Sequence, residues 1–205
     1  MLEIKKTKKL KLMELHKDGE LIQKLCRTCE VFKAPEEFYR KTEGYLRADC
    51  KECHRKIQNE YNRKIRDRRI VQNQNSRARK LWLDDTFTIE EYKELEKVAN
   101  GSCMISGKKS NALQIDHVQA ISKQWLGSTK GNLILVSDKV NNAKRDLSIF
   151  EFIESERSEG LVDKKQLKKT MEYLAEMNKM NLTQYINFLQ EMEEYAKKSK
   201  DFFGR

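Results

Sequence analysis

The spacing of hydrophobic positions changes several times along the chain. Residues 1–25 form a lysine-rich arm leading into a strand near Met13, Glu14 and Leu15. Residues 26–53 are bracketed by two pairs of cysteines. Residues 54–83 hold no Gly or Pro, and Ile57, Tyr61, Ile65 and Arg68 step by about one helical turn. That spacing predicts one long helix, mostly charged or amide, spanning exposed space or lying on a ligand. Thr88-Ile-Glu-Glu91 reads as a capping box opening a helix with Tyr92, Leu95 and Val98 on one face, stopped at Asn100-Gly101. Two apolar runs, Leu113 to Val118 and Asn132 to Val136, predict strands separated by a loop with Gly127 and Gly131. Asp138 to Leu147 predicts a short helix. Beyond it, Leu167, Met171, Leu174 and Met177 form one helical stripe, and Leu182, Tyr185, Ile186, Leu189 and Met192 another. Core packing is the ordinary use of such methionines.

The expected class is therefore α+β and mostly helical. It divides into a basic arm and cysteine module (1–53), a basic helix or linker (54–84), a strand–loop–strand–helix core (85–150) and a C-terminal helical region (151–205). A single proline and eight glycines also argue against a loop-rich β sandwich. With 38% apolar and 36% charged residues, several small packing units are expected rather than one large core. No stretch approaches the roughly 18 consecutive apolar residues of a membrane helix, so no membrane partner is expected. The basic N-terminus lacks the apolar run of a secretory signal, which predicts a cytoplasmic, reducing location.

Charge sharpens this picture. Of the net +10, the stretch from His54 to Lys80 carries ten Lys/Arg against two acids, while Glu151 to Arg205 is balanced at ten basic and eleven acidic residues. A local basic excess is the footprint of a polyanion binder, although a solvated surface helix can look the same. Arg63, Arg66, Arg68 and Arg69 are the candidate phosphate contacts.

Cys26-Arg-Thr-Cys29 and Cys50-Lys-Glu-Cys53 have the spacing C-x2-C-x20-C-x2-C. Two such knuckles brought together make a tetrahedral four-thiolate site for Zn²⁺, closed and therefore structural. A rival pattern, Cys50-Lys-Glu-Cys53-His54, matches c-type haem attachment but would need export and leaves Cys26 and Cys29 unexplained.

Of the three histidines, His117 lies in an apolar strand beside Asp116. Alone, such a pair is commonplace. In context, Ile115-Asp116-His117-Val118, then Asn132 opening the second strand, then Asn141 nine residues on in the short helix, resembles the HNH or ββα-metal endonuclease family. The likeness covers roughly Gly101 to Leu147, and the Asp-His-Asn-Asn variant is similar to that of phage-encoded homing endonucleases. One departure stands out. Many members staple this core with a second zinc, but here Cys103-Met-Ile-Ser106 keeps one cysteine, and Ser137 and Val140 occupy the other pair's positions.

The resemblance implies hydrolysis of DNA phosphodiester bonds, with His117 as general base, Asp116 and Asn141 holding catalytic Mg²⁺ or Mn²⁺, and Asn132 holding the loop. Hard oxygen ligands suit those ions. Lys144 and Arg145 become candidate phosphate contacts, with exposed helix charges as the plain alternative. The expected partner is double-stranded DNA, with RNA left open. A second copy of the chain is also a candidate, since a monomer would nick and a dimer could cut both strands. A phage origin, implied by the same likeness, would place the enzyme in the host cytoplasm. The competing expectation keeps zinc and the basic helix as a DNA-binding module around an inactive core.

Overall fold

A computed structural model describes residues 1–203, excepting the side chains at 196 and 199–203; residues 204 and 205 of the predicted C-terminal region lie outside it. The chain divides into two compact units, Met1–Arg66 and Asp67–Arg205. It is α+β, with seven α-helices among the described residues and small antiparallel sheets.

The first unit opens with strands β1 (Leu2–Lys6), β2 (Met13–Lys17), β3 (Glu20–Leu25) and β4 (Phe32–Lys33), hydrogen-bonded in that order as one antiparallel sheet. The basic arm is thus largely sheet. Only β2 stood out in the sequence, because β1 is exposed along its whole length and offers no buried periodicity. A separate hairpin joins β5 (Phe38–Arg40) to β6 (Leu46–Cys50), and helix α1 (Lys51–Lys64) follows at once. The buried core of this unit is Cys26, Phe38, Cys50 and Cys53, with Leu46 packed against it.

The expected single basic helix is in fact two. Helix α1 stops where Ile65 leaves helical geometry (φ −105°, ψ 6°), and α2 (Arg66–Arg79) begins anew. The halves have different surroundings. Ile57 and Tyr61 of α1 are exposed, whereas Val71 and Ala78 of α2 are buried, and Ile70 packs on the core of the second unit. The turn-by-turn apolar spacing hid the break because no Gly or Pro marks it.

In the second unit, α3 (Ile89–Ala99) carries both halves of the predicted capping box. The Thr88 backbone N–H donates to Glu91 Oε2 at 2.9 Å, and the Glu91 N–H donates to Thr88 Oγ1 at 3.1 Å. Tyr92 and Leu95 face inward as expected, but Ala99 is buried in place of Val98, which is half exposed. Asn100 ends the helix in the left-handed region. Strands β7 (Leu113–His117) and β8 (Leu133–Ser137) pair antiparallel, with Asp116 opposite Ile134 and His117 opposite Leu133. Helix α4 (Asp138–Lys144) follows directly, capped by Ser137. Helices α5 (Ile149–Glu154), α6 (Lys164–Met177) and α7 (Leu182–Phe203) complete the unit. Leu133 to Val136 are all buried, and with Val140, Phe152, Leu174 and Leu189 they belong to the main core. No helix among the described residues is long and apolar enough to cross a membrane.

Candidate functional site

The four module cysteines converge. Cys26 and Cys29 flank the turn after β3, Cys50 caps α1, and Cys53 sits in that helix's first turn. Their sulfurs lie within 4.8 Å of one another. Thiolates on one tetrahedral zinc stand roughly 3.8 Å apart at ordinary Zn–S lengths, so the cluster could hold such an ion. Burial raises a thiol's pKa, but at Cys26 the backbone N–H groups of Cys29, Cys50 and Thr28 outweigh it and bring the group down to about 6. Cys53, desolvated and hydrogen-bonded to its neighbours as a thiol, is pushed up to about 12. The knuckles are also tied by charge. Asp49 accepts from Arg27 Nε (3.1 Å) and Nη2 (2.6 Å) and from the Thr28 hydroxyl (2.7 Å). The cysteine spacing could not name these three residues. His54 meets Tyr39 edge to face, 5.5 Å between ring centres. The placing of Cys50 and Cys53 with Cys26 and Cys29 removes the reason for a haem.

In the second unit, strand pairing and α4 bring Asp116, His117 and Asn141 to the wall of one cavity of about 370 Å³. Arg145 and four residues not anticipated from sequence, Arg77, Ser122, Asn142 and Asp146, complete its polar lining. Arg77 comes from α2, about forty residues upstream, and only the packing of that helix could reveal it.

His117 is almost fully buried, and burial, followed by the positive charges of Arg77 and Lys144, lowers its pKa to about 3. The imidazole is therefore neutral at ordinary pH. Its Nε2 lies 3.0 Å from Ser128 Oγ, and that hydroxyl gives its one proton to the Gln74 carbonyl (2.9 Å). Ser128 must then accept from His117, which puts the ring proton on Nε2 and leaves Nδ1 as a bare lone pair. Ser128 and the backbone of α2 thus orient the histidine ring and hold it in one tautomer.

Asp116 is 3.0 Å from Lys144 Nζ, yet its Oδ2 lies off the hydrogen-bonding axis and makes no hydrogen bond among the described residues. Asn141 donates its amide nitrogen to Gln114 Oε1 at 2.6 Å, which leaves its oxygen as an acceptor. A buried carboxylate oxygen with spare capacity and an amide oxygen on the same cavity wall suit a hard divalent cation.

Asn132 ties the loop between the strands to itself. Its Oδ1 accepts from the Gln119 N–H (2.8 Å), and its Nδ2 donates to the carbonyls of Gln119 (3.2 Å) and Gly127 (3.1 Å). Both ends of the loop between the strands are thereby pinned. Gly127 is required there, because a Cβ would come within 2.0 Å of the Asp84 carbonyl. Lys144 needs correction. Its side chain is fully buried, donating to the His117 carbonyl at 2.7 Å and facing Asp116, so it braces the site and is no surface phosphate contact. Arg145 is exposed at the cavity. Arg63 is exposed in the first unit, on α1, and Arg66, Arg68 and Arg69 are exposed on α2. The positions of the second family zinc are filled otherwise: Cys103 Sγ accepts from the Ser106 N–H at 3.5 Å, Ser137 caps α4 and Val140 is core.

Compared with protein-family models, with curated proteins and with solved structures, the chain finds no match.

Proposed function

We propose that the second unit is an HNH-type endonuclease that hydrolyses DNA phosphodiester bonds, and that the first unit is a zinc-held module contributing to DNA binding. The observation carrying this reading is the oriented, neutral His117 sharing one cavity with Asp116, Asn141, Arg77 and Arg145. Two carboxylates and two exposed arginines around a polar cavity favour a ligand bearing both a phosphate and a metal cation.

In this mechanism Arg77 and Arg145 hold a phosphodiester at the cavity mouth. His117 Nδ1 takes a proton from a water as the water oxygen bonds to phosphorus and the P–O bond to the leaving sugar oxygen breaks. Lys144 and Ser128 act on the base and on Asp116, fixing their positions. Asp116 and Asn141 would hold Mg²⁺ or Mn²⁺, which when bound supplies Lewis-acid polarisation of the phosphate and charge for the leaving oxygen. Cys26, Cys29, Cys50 and Cys53 would hold Zn²⁺ without an open position, so it takes no part in the reaction.

Supercoiled-plasmid nicking tests the reading. Wild-type chain should nick only with added Mg²⁺ or Mn²⁺. His117→Ala should lose about 10²-fold in rate, the lower end of what a positioned base contributes, because a base whose pKa lies at about 3 is weak, at nearly unchanged DNA affinity. Nicking by His117→Ala at the wild-type rate would return the chain to a DNA-binding module with an inert core.

A further inference from the structure

Trp82 is 95% exposed, the most exposed large hydrophobic residue among the described residues. It is not loose. The Leu83 N–H donates to the Ala78 carbonyl (3.1 Å) and the Trp82 N–H to the Arg79 carbonyl (3.1 Å), the crossed pair of bonds that closes a helix end in a Schellman turn. Trp82 occupies the left-handed position of that turn, at φ +58°. Glycine adopts this conformation freely, and a bulky side chain adopts it at a cost. The fold thus keeps a tryptophan where glycine would be easier and recovers no burial from it. A ligand that covers the indole would account for both features.

The turn has a fixed place against the loop between β7 and β8. Two residues on, the Asp84 carbonyl accepts from the Ser128 N–H (2.7 Å), and the Phe87 N–H donates to the Ser128 carbonyl (3.1 Å). Ser128 is the residue that holds His117. The helix ending at Trp82 is α2, whose Arg77 lines the cavity and whose Arg66, Arg68 and Arg69 are exposed. A solvent-facing indole at the end of a basic helix, on a backbone turn that is hydrogen-bonded in place, suits a flat apolar surface attached to phosphates.

We propose that Trp82 stacks on a nucleobase of the DNA held at the cavity, fixing which phosphate reaches His117. The inference rests on the nuclease reading of this unit. Base–aromatic stacking is uncharged, so its loss weakens affinity without changing the number of counterions released.

The test uses the full chain carrying Trp125→Phe, which leaves Trp82 as its one tryptophan, in buffer without Mg²⁺ or Mn²⁺. A mixed-sequence duplex and its single strand are the probes. Trp82 emission should be quenched on saturation by at least one of them. Trp82→Gly should melt no lower than its parent, since glycine relieves the left-handed position, yet bind roughly 5–150-fold more weakly with the salt slope unchanged. Trp82→Phe should keep much of the affinity. Emission that does not respond to either probe overturns the proposal, as does a Trp82→Gly chain that binds like its parent. If that chain also nicks plasmid normally, the nuclease reading stands and only the stacking role falls. If the parent binds neither probe and nicks nothing, both fall.

Discussion

The two units solve the problem of holding a shape in opposite ways. The first has four buried apolar residues at its centre, and three of them are cysteines of the metal cluster. The second has twenty-one, drawn from helices and strands along its whole length. The first unit therefore lacks the apolar burial that stabilises small domains, and bonds from its four clustered thiols to a metal ion could stand in for it. The second unit has burial to spare and does without a staple. Where the family likeness expects further ligands, Ser137 serves as a helix cap and Val140 as core, and Cys103 accepts only hydrogen bonds. A core that can pack a buried Lys144 against Asp116 can also hold a buried histidine in one tautomer. A domain of the first kind can present charges to a ligand, but it offers little interior in which to hold such a group.

The largest expected effect breaks the comparison at its weaker side. Structural zinc contributes an apparent ~10–16 kcal/mol in small metal-folded domains. Cys50→Ser, which removes a buried ligand, should release the zinc and unfold the first unit while the second still melts cooperatively. Both tryptophans, Trp82 and Trp125, belong to the second unit, so their emission reports that unit alone. A zinc-sensitive dye follows the first. Loss of the tryptophan transition together with the zinc would mean that the units are one cooperative structure, and the contrast drawn between them would be wrong.

That contrast was partly legible in the sequence, and the division follows the range of the interactions. Local chemistry could be read directly: the Thr88–Glu91 box, the helix stop at Asn100, the two cysteine pairs, and the spacing that puts Asp116, His117 and Asn141 on one cavity wall. Each depends on a few neighbouring residues or on a fixed spacing. What depends on tertiary contact could not be read. The stop at Ile65 has no breaker residue, and it matters because α2 packs into the second unit's core. Arg77 and Ser128 join the site through that packing. Lys144 looks like any lysine near the end of a helix, and only the fold makes it an interior group. The exposed β1 strand carries no periodicity of burial from which to infer it.

Lys144 supplies the second test, on the side of the robust unit. An exposed phosphate contact can be replaced within about 0.5 kcal/mol of stability. A buried cation facing a buried carboxylate cannot, because its loss strands the partner charge, at roughly 3–5 kcal/mol. Lys144→Met keeps the volume and removes the charge, so it should destabilise the second unit by that larger amount in denaturant melts followed by tryptophan emission. Zinc content should stay at the wild-type level. A loss below about 0.5 kcal/mol would put Lys144 back among the surface cations.

The smallest effect separates the units by pH. His117 is buried with its pKa lowered to about 3, chiefly by desolvation and then by Arg77 and Lys144. In the unfolded chain it titrates near 6.5. Between those values the unfolded state binds a proton that the folded state refuses, so stability falls as pH falls. Above about 6.5 neither state is protonated and the contribution is constant. The slope cannot exceed about 1.4 kcal/mol per pH unit for one proton. Lowering the pH from 7 to 5.5 should then cost the second unit about 1 kcal/mol more in wild type than in His117→Asn, measured by tryptophan-detected urea melts without added Mg²⁺ or Mn²⁺. That window lies above the ordinary range of Asp and Glu, so carboxylates add little to the difference. Equal slopes for the two chains would mean that His117 takes up its proton in the folded state as readily as in the unfolded one. In that case the buried neutral imidazole, on which the contrast between the two interiors depends, would have to be abandoned.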